Sequence, residues 1–177
     1  MRTDKTMFIS NKQQTMQTLH NEFFTAARNG DIDFLREHIN EIDDLNIRDV
    51  RGYTPLIIAT YNGQYDAAGI LLEAGADVNA ADLGGNTSLM GVSFKGYPEI
   101  ATLLIRYGAD LNLQHGNGGT ALMFAAMFGR NNMVKLLLDH GADKYIRDNR
   151  GLTAMDLAAQ QGNVEAVEML EAVDANT

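Results

Sequence analysis

The chain of 177 residues has no cysteine and no tryptophan, and only two prolines. Without cysteine there is no disulfide framework, no thiolate zinc site and no thiol nucleophile. Positive charge is also scarce: 14 Lys and Arg stand against 23 Asp and Glu, for a formal net charge of -9. These basic residues are scattered, which argues against a nucleic-acid backbone as the main partner, since phosphate binding needs clustered cations. Long apolar runs are missing as well. No uninterrupted stretch reaches the roughly 18 residues of a membrane span. The opening residues, MRTDKTMFISNKQQTMQTLH, carry polar side chains directly after Phe8 and Ile9, where a secretory signal needs an apolar core. The expectation is a cytoplasmic protein without a membrane anchor.

Apolar residues make up 45% of the chain, enough to build a core. Their arrangement is periodic. Thr54, Thr87, Thr120 and Thr153 stand 33 residues apart, and Gly52, Gly85, Gly118 and Gly151 precede each by two. A further series, Gly30, Gly63, Gly96, Gly129 and Gly162, keeps the same step and reaches one unit nearer the N-terminus. Gly75, Gly108 and Gly141 fall in register too. Several markers sharing one period of this size indicate a solenoid of stacked units.

Each unit reads as two short helices and a hairpin-like loop. In GYTPLIIATYNG, Thr54 is placed to cap a helix and Pro55 to begin it, while Gly63 ends it. QYDAAGILLEAG then supplies a second helix ending at Gly75, and ADVNAADLGG a Gly-rich turn. Helices this short are marginal alone, so each unit depends on its neighbours. Gly69, inside a second helix, costs about 1 kcal/mol relative to Ala and marks its unit as the first to open.

The step of 33 residues together with GYTPLIIAT, GNTSLMGVS, GGTALMFAA and GLTAMDLAA, followed by GADVNA and its variants, resembles the ankyrin repeat. The resemblance covers roughly residues 20–172 and implies an all-α solenoid of helix-turn-helix units joined by β-hairpin-like loops. One domain is expected over 19–172, with repeats at about 19–48, 49–81, 82–114, 115–147 and 148–172. Residues 1–18 would be a tail or an extra cap turn, and 173–177 a C-terminal tail. The first unit is a degenerate cap, with Asn21 in place of the Thr and Ile42 in place of the second-helix Gly. At the other end Glu171 follows Leu170 where inner units carry Leu72, Ile105 and Leu138, so a charge meets water. The His of the family signature is replaced by Ile57, Met90, Met123 and Asp156. The resemblance implies that the hydrogen bonds of that His are lost and that apolar contact takes their place.

Residues with catalytic or metal-binding chemistry do not cluster. His20, His38, His115 and His140 show no spacing that would set two on one helix face. His115 takes the place of Asp49, Asp82 and Asp148 and reads as a hairpin residue; the glycines of GNGG, Gly116 to Gly119, read as a hairpin tip. Neither an enzyme nor a metal or organic cofactor is expected.

The variable positions carry the functional expectation, because in a solenoid they align into one extended concave surface. Just before the mid-unit glycines stand Arg28 and Asn29, Tyr61 and Asn62, Phe94 and Lys95, Met127 and Phe128, and Gln160 and Gln161. Hairpins add Arg51, Tyr53, Asn86, Asn117, Asn149 and Arg150, and second-helix ends add Tyr107 and His140. Exposed aromatic and Arg side chains are the usual anchors of protein interfaces. Tyr61, Phe94 and Phe128 therefore point to a groove for a protein or peptide partner, used by a monomeric adaptor, inhibitor or masking protein. The bland alternative is that these rings merely brace the stack. Self-association as a structural protein and service as an enzyme's accessory subunit are the rival functions.

Overall fold

The computed structural model describes residues 2–172; the expected tail at 173–177 lies outside them. Among the described residues ten α-helices pair into five units: α1 (Arg2–Asn29) with α2 (Ile32–His38), α3 (Pro55–Tyr61) with α4 (Tyr65–Glu73), α5 (Ser88–Lys95) with α6 (Pro98–Arg106), α7 (Ala121–Met127) with α8 (Asn131–Asp139), and α9 (Ala154–Gln160) with α10 (Val164–Ala172). The first helices α1, α3, α5, α7 and α9 pack in one layer and the second helices in another, each touching its counterpart in the next unit.

Local chemistry starts each inner helix. The hydroxyls of Thr54, Thr87, Thr120 and Thr153 accept from the N–H groups of Ile57, Met90, Met123 and Asp156 at 3.2–3.4 Å, which satisfies one free donor at each helix start. Packing then holds the layers. Leu71, Leu104, Leu137 and Leu170 occupy one column and are no more than 2% exposed. Small residues fill the column between first helices, where Ala27, Thr60, Ser93 and Ala126 are fully buried and let the helix backbones approach. Glu171, beside Leu170, is exposed.

Two expectations are corrected. The N-terminal tail or single extra turn is instead part of α1, a helix of 28 residues. At the signature His position apolar burial replaces the polar contact at Ile57, Met90 and Met123, but not in the last unit. There the Asp156 carboxylate accepts from both the N–H and the hydroxyl of Thr153 at 2.8 Å, closing a capping box.

The loops between units are tight brackets. In three of them an Asp accepts from the backbone two and four residues on: Asp49 from Arg51 and Tyr53, Asp82 from Gly84 and Asn86, Asp148 from Arg150 and Leu152. His115 stands in for the carboxylate with Nδ1, which accepts from the Asn117 N–H at 3.2 Å. The loop tips are joined across units by Leu83 N–H to Arg51 O, Gly116 N–H to Gly84 O and Asn149 N–H to Asn117 O. That approach is close enough to demand glycine at Gly118, whose φ is +82° and where a Cβ would lie 2.8 Å from Asn149 Oδ1 and 2.9 Å from its backbone N. A row of asparagines ties the next stretch of chain: Asn46, Asn79 and Asn112 accept from the N–H groups of Asp77, Asp110 and Asp143 at 2.8–2.9 Å.

Candidate functional site

The first helices and the loop tips form one face, and two adjoining cavities lie along it. The first, about 450 Å³, opens between α3 and α5. Among the residues selected from the sequence it gathers Arg28, Arg51, Tyr53, Tyr61, Asn62, Asn86 and Phe94. The second, about 480 Å³, lies between α7 and α9 and gathers Asn117, Met127, Asn149 and Arg150. Phe124 lines both, and its ring leans on His115 with centroids 5.3 Å apart.

A ladder of rings runs beside the cavities. Phe94 lies parallel to Tyr61, with centroids 6.4 Å apart, and meets Phe128 edge-on at 4.6 Å. Phe128 in turn stacks with Phe124 at 6.5 Å. Lys95 places its Nζ 4.9 Å from the centre of the Tyr61 ring, a cation–π contact. The rings touch one another and still face solvent: Tyr61 is 43% and Phe128 42% exposed. Bracing and display are therefore combined in the same side chains.

Electrostatics along this face are fixed by the brackets. The Leu152 N–H holds the Asp148 carboxyl below its ordinary range; desolvation opposes this and the Arg150 guanidinium, 2.8 Å away, adds to it. Arg150 is thereby paired. Arg28 and Arg51 make no side-chain ion pair among the described residues and lie exposed at the first cavity.

Other selected residues lie elsewhere. Asn29, Gln160 and Gln161 are exposed at the ends of α1 and α9, outside both cavities. Tyr107 belongs to the opposite surface, in an outer groove between α2, α4 and α6 with Tyr65 and Arg106. His140 caps α8, its Nδ1 donating to the Leu136 carbonyl at 2.8 Å. Sequence reasoning passed over Met90, Gly91, Phe124 and Asp82, all of which line the first cavity. A signal existed: Ile58, Gly91, Phe124 and Leu157 form one column at the step of 33, and its members differ in size more than any neighbouring column.

Among the described residues no group of three or more His, Asp or Glu is arranged to hold a metal ion, and no helix is long and apolar enough to cross a membrane. A family model for ankyrin repeats in three copies matches residues 8–82 and 89–177. The chain belongs to the ankyrin repeat family. Ankyrin repeats are in general protein–protein interaction modules and typically non-catalytic. A similar curated protein is Ankyrin repeat domain-containing protein 39 of Homo sapiens, 38% identical over 66 residues. The aligned stretch is 36% of this ankyrin array and 36% of that protein, so the likeness is to a portion of its length.

Proposed function

We propose that this ankyrin array is a stoichiometric binding module whose concave face docks a protein or peptide segment, so that it serves as an adaptor, an inhibitor or a mask without turnover. The observation that carries the reading is the aromatic ladder: Tyr61, Phe94 and Phe128 cross three successive units while Tyr61 and Phe128 keep two-fifths of their surface in solvent. Rings already held by their neighbours lose little entropy when a partner covers them, so contact area there is converted into affinity efficiently.

The test compares capture from a lysate of the source organism by the natural chain and by a Tyr61→Ala, Phe94→Ala, Phe128→Ala variant whose circular dichroism matches it. Capture of a protein by the natural chain and its loss with the variant support the reading. Equal capture by both baits, or a mass in solution that grows with concentration through the same rings, overturns it in favour of another surface or of self-association.

A further inference from the structure

We infer that the first cavity is a socket for one bulky apolar side chain of an acidic peptide segment, and that Gly91 is the residue that opens it. This deepens the proposed docking function and rests on it. The column Ile58, Gly91, Phe124, Leu157 projects from successive first helices at equivalent positions. Three members fill the face with a side chain; Gly91 leaves a notch. A Cβ built at Gly91 would press on one atom, Tyr61 Cδ2 at 3.3 Å, in a ring that is 43% exposed and free to shift outward, so a side chain here would take up the notch. The notch is walled by Tyr61, Phe94 and Phe124 and floored by Ile57, Ile58 and Met90, apolar on most sides. Its volume of about 450 Å³ lies within the range of built ligand pockets.

A second feature singles out the same half of the array. At the loop tips, Val50 and Leu83 are 96% and 78% exposed, whereas the equivalent tips further along are Gly116 and Asn149. Apolar tips and notch therefore coincide over the second and third repeats, and the ring ladder runs from them into the fourth.

Charge selects the partner. In a chain of net charge -9, this stretch presents Arg28 and Arg51, exposed and without ion partners among the described residues, with Lys95 over Tyr61. The one carboxylate in the lining, Asp82, is already engaged by the N–H groups of Gly84 and Asn86 and by the Asn86 amide. The groove offers cations and takes carboxylates. An extended peptide with an aromatic or large aliphatic anchor flanked by Asp or Glu matches it, and a basic segment is repelled.

The experiment pans a displayed random-peptide library on the full chain and measures the enriched peptides by fluorescence anisotropy against four proteins: the natural chain, Gly91→Leu, Arg28→Glu with Arg51→Glu, and Tyr107→Ala. Gly91→Leu plugs the notch with a side chain of the kind present at Leu157 and needs only a small outward shift of the half-exposed Tyr61 ring, so the variant is expected to fold, and circular dichroism verifies it. The expected result is a consensus of one bulky apolar residue among acidic ones, at least about tenfold weaker binding to the first two variants, and unchanged binding to Tyr107→Ala. A consensus without that anchor or acidity, undiminished binding to Gly91→Leu, displacement by oligonucleotide in place of peptide, or no enrichment overturns the socket. If Gly91→Leu still captures the cellular partner that the triple ring variant loses, the socket falls while the docking function stands. Loss of dimer mass with Gly91→Leu would instead make a second copy the occupant and overturn the acidic peptide.

Discussion

The rings of Tyr61 and Phe94 lie within 2° of parallel with their centroids 6.4 Å apart, although one full repeat of chain separates them. Phe94 also presents its ring to Phe128 at 4.6 Å, so it is the middle rung. Aromatic pairs contribute about 0.5–1.5 kcal/mol beyond area burial. Phe94→Ala is therefore expected to lower stability by about 2 kcal/mol in urea denaturation, whereas Tyr61→Phe, which keeps the ring, changes little. Equal midpoints for Phe94→Ala and the natural chain would show that the ladder bears no part of the stack.

Asn79 links the second and third repeats through a side chain. Its Oδ1 accepts from the Asp110 N–H at 2.8 Å, and Nδ2 donates to the Gly108 carbonyl at 3.4 Å. In a solenoid, stability is approximately a sum of unit and interface terms. Asn79→Ala hands the exposed Asp110 N–H to water and is expected to cost about 0.5–1.5 kcal/mol, the net worth of a typical hydrogen bond. Asn79→Asp retains the acceptor oxygen and is expected to recover most of that loss; equal destabilisation by both would mean that the bond contributes nothing.

The repeat pattern was legible because stacking repeats its demands: the capping threonines, the turn glycines and Leu71, Leu104, Leu137 and Leu170 must recur wherever a unit meets the next. Tyr61, Phe94 and Phe128 were legible as the ends of first helices, a place the period leaves free. Gly91 and Phe124 were not singled out, because the cavity is made by an absent side chain, and a missing Cβ in a helix reads only as a propensity loss until the neighbours are placed. That Tyr107 and His140 fall outside both cavities was not legible for a related reason. A helix end is visible in the sequence, but α6 and α8 stand in the outer layer, and which layer a terminus serves depends on the packing of both helices. The length of α1 was hidden because residues 2–18 show no regular apolar stripe of the kind that marks an amphipathic helix.

Ser93 Oγ is buried and has no hydrogen-bond partner among the described residues, and the same holds for Ser88. The equivalents of Ser93 in the adjacent repeats follow a different chemistry: Thr60, one unit back, donates to the carbonyls of Leu56 and Ile57, and Ala126, one unit on, has nothing to satisfy. An unsatisfied buried hydroxyl costs on the order of 1 kcal/mol or more. Ser93→Ala is expected to raise the thermal midpoint, and a lower midpoint would mean that the hydroxyl is satisfied in solution.

Gly69 sits inside α4 on the outer surface, and a Cβ there meets nothing within 4 Å. Its backbone is that of an ordinary helical residue, so no left-handed conformation requires glycine. Gly69→Ala is expected to stabilise the array by about 1 kcal/mol through helix propensity and reduced unfolded-state freedom. Hydrogen exchange should slow first in α4. If exchange there is unchanged, α4 does not open locally.

Acid is expected to act on the last repeat before the others. The Thr153 N–H, then its hydroxyl, holds the Asp156 carboxyl below the ordinary range, with a contribution from Arg147 against an opposing desolvation; the Leu152 N–H does the same for Asp148. A depressed carboxylate means that the unfolded chain binds more protons than the native one between the two values. The associated stability is thus fully present above the unfolded value, about 3.9, and is lost as pH falls through the folded value. The thermal midpoint should be insensitive to these two groups from neutrality down to about pH 5 and should drop below about pH 4, with exchange protection lost earliest in α9 and α10. Asp156→Asn keeps the side-chain oxygen as an acceptor and removes the charge, so it should flatten that acid limb at some loss of stability near neutrality. An acid limb as steep in the variant as in the natural chain would place the acid-sensitive carboxylates outside the capping box.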